Sequence, residues 1–183
     1  MPRTPTPGAP LVGILMGSDS DLPTMEETAK LLQHFKVGFE IHVASAHRSP
    51  DRVATYAREA DGRGLRVLIA GAGAAAHLAG VVAAHTILPV VGVPMDGGTL
   101  HGLDALLSTV QMPGGIPVAT VAIGKAGARN AALLAVQILA LTDARLRRAL
   151  RAYRADLAAQ VAAKDRQLQT TYPPLPPGNA EGA

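Results

Sequence analysis

Three short polar segments carry the side chains best suited to chemistry: Gly17-Ser18-Asp19-Ser20-Asp21, Ser45-Ala46-His47-Arg48-Ser49-Pro50, and Gly71-Ala72-Gly73-Ala74-Ala75-Ala76-His77. Arg48 offers a planar fork of donors that can grip a phosphate, and Ser45 supplies a hydroxyl nearby. His47, between them, is the residue type that exchanges protons near neutral pH. Ser18 can donate to a phosphate or hydroxyl, and Asp21 can accept from a ribose diol. Both can equally cap the helix that follows, and one residue can do both. The Gly71–Ala76 run has no long side chains, so it either lets a substrate approach the backbone or serves helix–sheet packing. His77, placed one or two turns into the next helix, reads as structural or functional on equal terms. The set suits a small phosphorylated ligand and one proton-transfer step.

Each segment directly follows an apolar run (Val12–Met16, Phe39–Ala44, Val67–Ala70) that reads as a buried strand and precedes a segment that reads as a helix. Strands are expected at 11–16, 39–44, 66–70, 89–94 and 117–123. Helices are expected at 22–35, 50–61, 75–85, 103–111, 128–141 and 143–169. Asp21 and Ser49 are placed as N-caps, with Pro23 and Pro50 near the helix starts. The β-branched run 117–123 reads as a buried central or near-central strand. Strands alternating with helices predict a parallel sheet covered on both faces. With five strands, the expected fold is a flavodoxin-like three-layer αβα sandwich of order 2-1-3-4-5 with an extra C-terminal helix. Its switch point lies between strands one and three, where the first and third polar segments fall.

At 183 residues with 48% hydrophobic content and mean hydropathy +0.21, the chain is long enough for one well-buried domain. We expect a loose arm over 1–10, a catalytic domain over 11–170 and a proline-rich tail over 171–183. The net charge of +3 is concentrated in Arg145, Arg147, Arg148, Arg151 and Arg154 on one late helix. That run reads as a solvated or inter-subunit face, or else as a polyanion contact. Aromatic residues are only 3%, so stacking platforms for nucleic acid are lacking. There is no cysteine for a disulfide, thiolate ligand or nucleophile. Six histidines show no convincing metal-ligand spacing. No unbroken membrane-length apolar run or signal-peptide plan is present, so a cytoplasmic protein without membrane contact is expected. The loops lack a Walker motif, a dinucleotide fingerprint and flavin-flanking aromatics.

Taken together, Met16–Asp21, Ser45–Pro50, Ala70–Leu78, Leu107–Pro117 and Val118–Gly127 closely resemble the class I N5-carboxyaminoimidazole ribonucleotide mutases of bacterial purine biosynthesis. The resemblance spans about Leu11 to Leu141. It implies a homo-octamer that uses no metal or organic cofactor and moves a carboxyl group from the exocyclic nitrogen to ring carbon 4. It further implies that Ser18, Asp21 and Arg48 bind substrate, that Ser45 joins Ser18 and Arg48 at the phosphate, and that His47 is the acid–base group. Two single residues and one short segment depart from the family pattern. Ala74 replaces a common glycine, Ala79 a proline, and Asp96-Gly97-Gly98 the usual polar pair after the fourth strand. Two other readings are a class II enzyme that carboxylates 5-aminoimidazole ribonucleotide directly, and a non-catalytic nucleotide-binding module.

Overall fold

The apolar runs are short enough for strands and carry residues that pack on both sides, and in the computed structural model they pair side by side in parallel. The structure describes residues 9–173. Five strands, β1 (Val12–Met16), β2 (Phe39–Val43), β3 (Val67–Ala72), β4 (Val90–Pro94) and β5 (Ala119–Thr120), form one sheet of order β2-β1-β3-β4-β5. All four pairings are parallel. The flavodoxin-like topology is therefore the one expected from the alternation of elements.

Helices α1 (Leu22–His34), α2 (Pro50–Glu59), α3 (Leu78–Ala84), α4 (Leu103–Val110), α5 (Gly124–Leu139) and α6 (Ala144–Thr171) connect or follow the strands. Successive strand side chains point to opposite faces, and this sorts the core into two halves. Val12, Ile14, Met16, Val67, Ile69, Val91 and Val93 meet α1, α5 and the start of α6. Leu15, Leu68, Ala70 and Val90 meet α2 and α3 on the other face. Thr28, buried in α1, donates to the Ala128 carbonyl of α5 at 2.8 Å and locks those helices together. Gly92 turns toward the second face, where a Cβ would strike Thr109 of α4, Val118 and Ala79.

Several local expectations are corrected. β2 is an edge strand whose residues are half-buried and end in an exposed Val43, because only β1 covers one side of it. β5 is a two-residue edge strand with Ala119 exposed, and its β-branched neighbours are not in a sheet interior. The β-branched composition suits a pleated surface but does not say which strand lies beside it. α5 begins at Gly124, not at 128. β3 runs on through Gly71 and Ala72, which delays α3 to Leu78. Asp21 and Ser49 stand at N-cap positions but make no side-chain cap bond. The expected arm over 1–10 and tail over 171–183 lie largely outside the described residues, and the last helix continues to Thr171.

Candidate active site

Parallel strands present all their C-terminal ends at one edge of the sheet, and the loops leaving them are held there by backbone hydrogen bonds. Gly17 N–H donates to the Gly71 carbonyl at 3.1 Å, Ala44 N–H to Met16 at 2.8 Å, and Met95 N–H to Ala72 at 2.9 Å. Between these loops lies a crevice of about 590 Å³. Ser18, Asp21, Ser45, His47 and Arg48 all line it, as do Ser20, Thr24, His77 and Asp96.

The first loop is a short 3-10 turn over Asp19–Asp21. Ser18 begins it by accepting from the Ser20 N–H at 3.3 Å and the Ser20 hydroxyl at 2.9 Å. Asp21 closes it, and α1 starts at the next residue. Burial raises the Asp21 carboxyl above its ordinary value; a backbone hydrogen bond from Ser18 opposes this and the Asp19 charge adds to it. In the second loop Ser45 and Ser49 bond reciprocally: Ser45 N–H donates to Ser49 Oγ at 3.0 Å, and Ser49 Oγ to the Ser45 carbonyl at 3.1 Å. That use of its hydroxyl is why Ser49 does not cap α2. Ser45 Oγ accepts from the Arg48 N–H at 3.2 Å, and the Arg48 guanidinium reaches the Gly17 carbonyl at 3.1 Å. Arg48 therefore ties the second loop to the first while facing the crevice.

The third loop divides the two uses left open for its small residues. Gly71 is buried, and a Cβ there would strike Met95 and Met25, so this glycine serves packing. Ala72 through Ala75 line the crevice with backbone and methyl groups. Ala74 stands at φ +51, a left-handed conformation that costs a residue with a Cβ about 1–2 kcal/mol.

His77 is not turns into a helix; it precedes the first residue of α3. Its Nδ1 lies 2.8 Å from His47 Nε2, with the two rings nearly perpendicular. One ring nitrogen donates and the other accepts. The starts of α1 and α3 at the crevice add positive partial charge, which favours an anion. Two extra strand residues in β3 put His77 at the entrance of α3 and not in its body, a placement that local pattern does not reveal. Thr24 and Ser20 carried no signal beyond proximity to Asp21.

Fold and site together define a class: the family model described as AIR carboxylase matches residues 11–160, and the chain belongs to that family. Among curated relatives, the N5-carboxyaminoimidazole ribonucleotide mutase of Pyrococcus horikoshii is 54% identical over 160 residues, covering 87% of this chain and 89% of that protein. The N5-carboxyaminoimidazole ribonucleotide mutase of Mycobacterium tuberculosis (strain H37Rv) is 55% identical over 166 residues, covering 91% and 94%. The crystal structure of Treponema denticola PurE superposes with a TM-score of 0.80 at 30% identity, covering 87% of this chain and 99% of that one.

Proposed function

We infer that this chain is a mutase of purine biosynthesis, an isomerase that converts N5-carboxyaminoimidazole ribonucleotide to 4-carboxy-5-aminoimidazole ribonucleotide. The observation that carries the reading is the single crevice lined by Ser18, Asp21, Ser45, His47 and Arg48 in a chain more than half identical to curated mutases over most of its length. Arg48, Ser18 and Ser45 hold the phosphate, and Asp21 accepts from the ribose hydroxyls. No strong bond has to be broken. The N–C bond of the carbamate cleaves, carbon dioxide leaves, and the nitrogen takes a proton. Ring carbon 4 then attacks the retained carbon dioxide, and His47 removes the proton from that carbon to restore the aromatic ring. The proton gained at nitrogen and the one lost at carbon balance over the cycle. The enzyme's main task is to keep carbon dioxide beside the ring until carbon 4 takes it up, an effect of orientation. His77, in hydrogen-bond reach of His47, fixes its ring and tautomer.

The catalytic domain spans 11–170, acts in the cytoplasm and assembles as a homo-octamer. The assembly is supported by apolar side chains left exposed at helical spacing: Leu103, Leu107 and Val110 on α4, and Leu157, Val161 and Leu168 on α6.

The deciding experiment offers purified protein fresh N5-carboxyaminoimidazole ribonucleotide, without ATP or added metal, and follows the 4-carboxy product. A parallel reaction holds 5-aminoimidazole ribonucleotide with dilute bicarbonate. Rapid conversion in the first alone is expected. Efficient product only in the second identifies a direct carboxylase, and none in either identifies a binding module.

A further inference from the structure

The crevice holds a second carboxylate that the assignments above leave unused. Asp96 follows β4 and Met95 and lines the crevice with Asp21 and the two histidines. It is closely held. Its side chain lies against Gly124 at the start of α5, where a Cβ would stand 3.1 Å from Asp96 Oδ2 and 3.3 Å from its Cγ. Its backbone lies against Gly102 at the start of α4, where a Cβ would stand 3.1 Å from Asp96 Cα and closer still to the Met95 carbonyl. Both glycines have left-handed φ, +83° at Gly102 and +70° at Gly124, which residues with a Cβ rarely adopt. Gly124 thus leaves room for the Asp96 side chain, and Gly102 chiefly for the Met95 carbonyl and Ile123 that border it. Among the described residues its carboxylate pairs with no cation.

We propose that Asp96 is a substrate-positioning residue that accepts a hydrogen bond from the exocyclic amine of the aminoimidazole ring. The inference rests on the mutase reading and extends it to the recognition of the base. A matching of donors to acceptors leads there. The phosphate and the migrating carboxyl can only accept, and Arg48, the serine hydroxyls and a histidine N–H can donate to them. The ribose hydroxyls have Asp21. Once carbon dioxide has left, the exocyclic amine is the ring's donor group, and a carboxylate accepts, so Asp96 complements it with a charge-assisted bond. A fixed negative charge beside that nitrogen also favours neutral amine and carbon dioxide over the anionic carbamate.

The test compares wild type, Asp96→Ala and Asp96→Asn by calorimetric titration with two probes, 5-aminoimidazole ribonucleotide and ribose 5-phosphate. Removing the carboxylate should weaken binding of the aminated ribonucleotide by about tenfold to hundredfold, with Asp96→Asn between wild type and Asp96→Ala. Ribose 5-phosphate, which has no amine, should bind all three within about twofold. Equal losses for both probes overturn the proposal, because they mean that Asp96 merely holds the loop. Unchanged binding of the aminated ribonucleotide overturns it as well. A wild-type protein that converts the carbamate while Asp96→Ala binds normally sinks this inference alone. A wild-type protein that neither binds nor converts sinks the mutase reading and this inference with it.

Discussion

At the scale of single residues, the proposed proton transfer rests on His47 and its neighbour. The two histidine rings meet at 2.8 Å within the crevice, so His47 is presented by a partner instead of moving freely on its loop. Proton transfer by a positioned side chain contributes typically about 10²–10⁴-fold to rate. His47→Asn should therefore lower kcat by about that factor, with substrate affinity and melting temperature nearly unchanged. Stopped-flow turnover beside a thermal melt checks this, and near-normal kcat would remove His47 from the mechanism. His77→Asn should lower kcat less, because the loss is of orientation and not of the proton carrier. A His77 variant as impaired as the His47 variant would make the pair a joint acid–base unit.

At the scale of elements, the edge strand β2 shows how the sheet margin is fastened. Glu40 accepts from the Tyr56 hydroxyl of α2 and from the Arg63 guanidinium, both at 2.7 Å, and the Arg63 guanidinium also lies over the Tyr56 ring. Tyr56 reaches across the strand only because Gly13 of β1 has no side chain in its path. Burial alone would raise the Glu40 carboxyl, but the Tyr56 hydrogen bond and the Arg63 charge outweigh it and hold the group below its ordinary 4.5. A carboxyl whose folded pKa is depressed stabilises the fold fully above its unfolded value. That contribution shrinks as pH falls below 4.5, where the unfolded chain takes up the proton first, and it is gone once the folded carboxyl is protonated too. Glu40→Gln should cost about 1–2 kcal/mol at neutral pH and flatten the loss of stability below pH 4.5. Urea denaturation between pH 3 and 7 measures both, and an unaltered acid limb would show that this network does not govern it.

At the scale of the whole molecule, α6 sets the outline. It would extend about 42 Å as an ideal helix of its 28 residues, yet Leu146 is its one buried side chain. Its first turns are anchored by Arg145, which donates to the Phe35 carbonyl at 2.9 Å, and by Tyr153, whose ring packs on Phe35. From Arg154 to Pro173 every residue is exposed. A helix that long gains little from its own domain and, in water, most helical stability comes from packing an apolar face. The proposed octamer supplies that packing. Light scattering should give about eight chain masses, and the double substitution Leu157→Glu and Val161→Glu should yield smaller species with the circular dichroism of a folded protein. A double variant that stays at the parent mass would exclude this face from the interface.

Much of this architecture was legible from local chemistry. The period of apolar residues, the prolines near the starts of α1 and α2, and the small-residue turns gave the alternation of strands and helices and hence the sheet order. The five expected site residues sit on loops that leave the C-terminal ends of parallel strands, and that topology alone brings such loops together. What local pattern did not decide depends on neighbours distant in sequence. Apolar content alone did not distinguish the half-buried β2 and the short, exposed β5 from central strands, because the partners of a strand lie elsewhere in the chain. Two further strand residues after Ala70 carried His77 from the body of a helix to its entrance and into contact with His47. The sequence by itself determined the fold, the crevice and the residue types in it. Only the tertiary structure decided that Gly71 is spent on packing, that the two histidines are partners, and that Gly124 leaves room for Asp96, because each of these is a contact between segments that local preference does not encode.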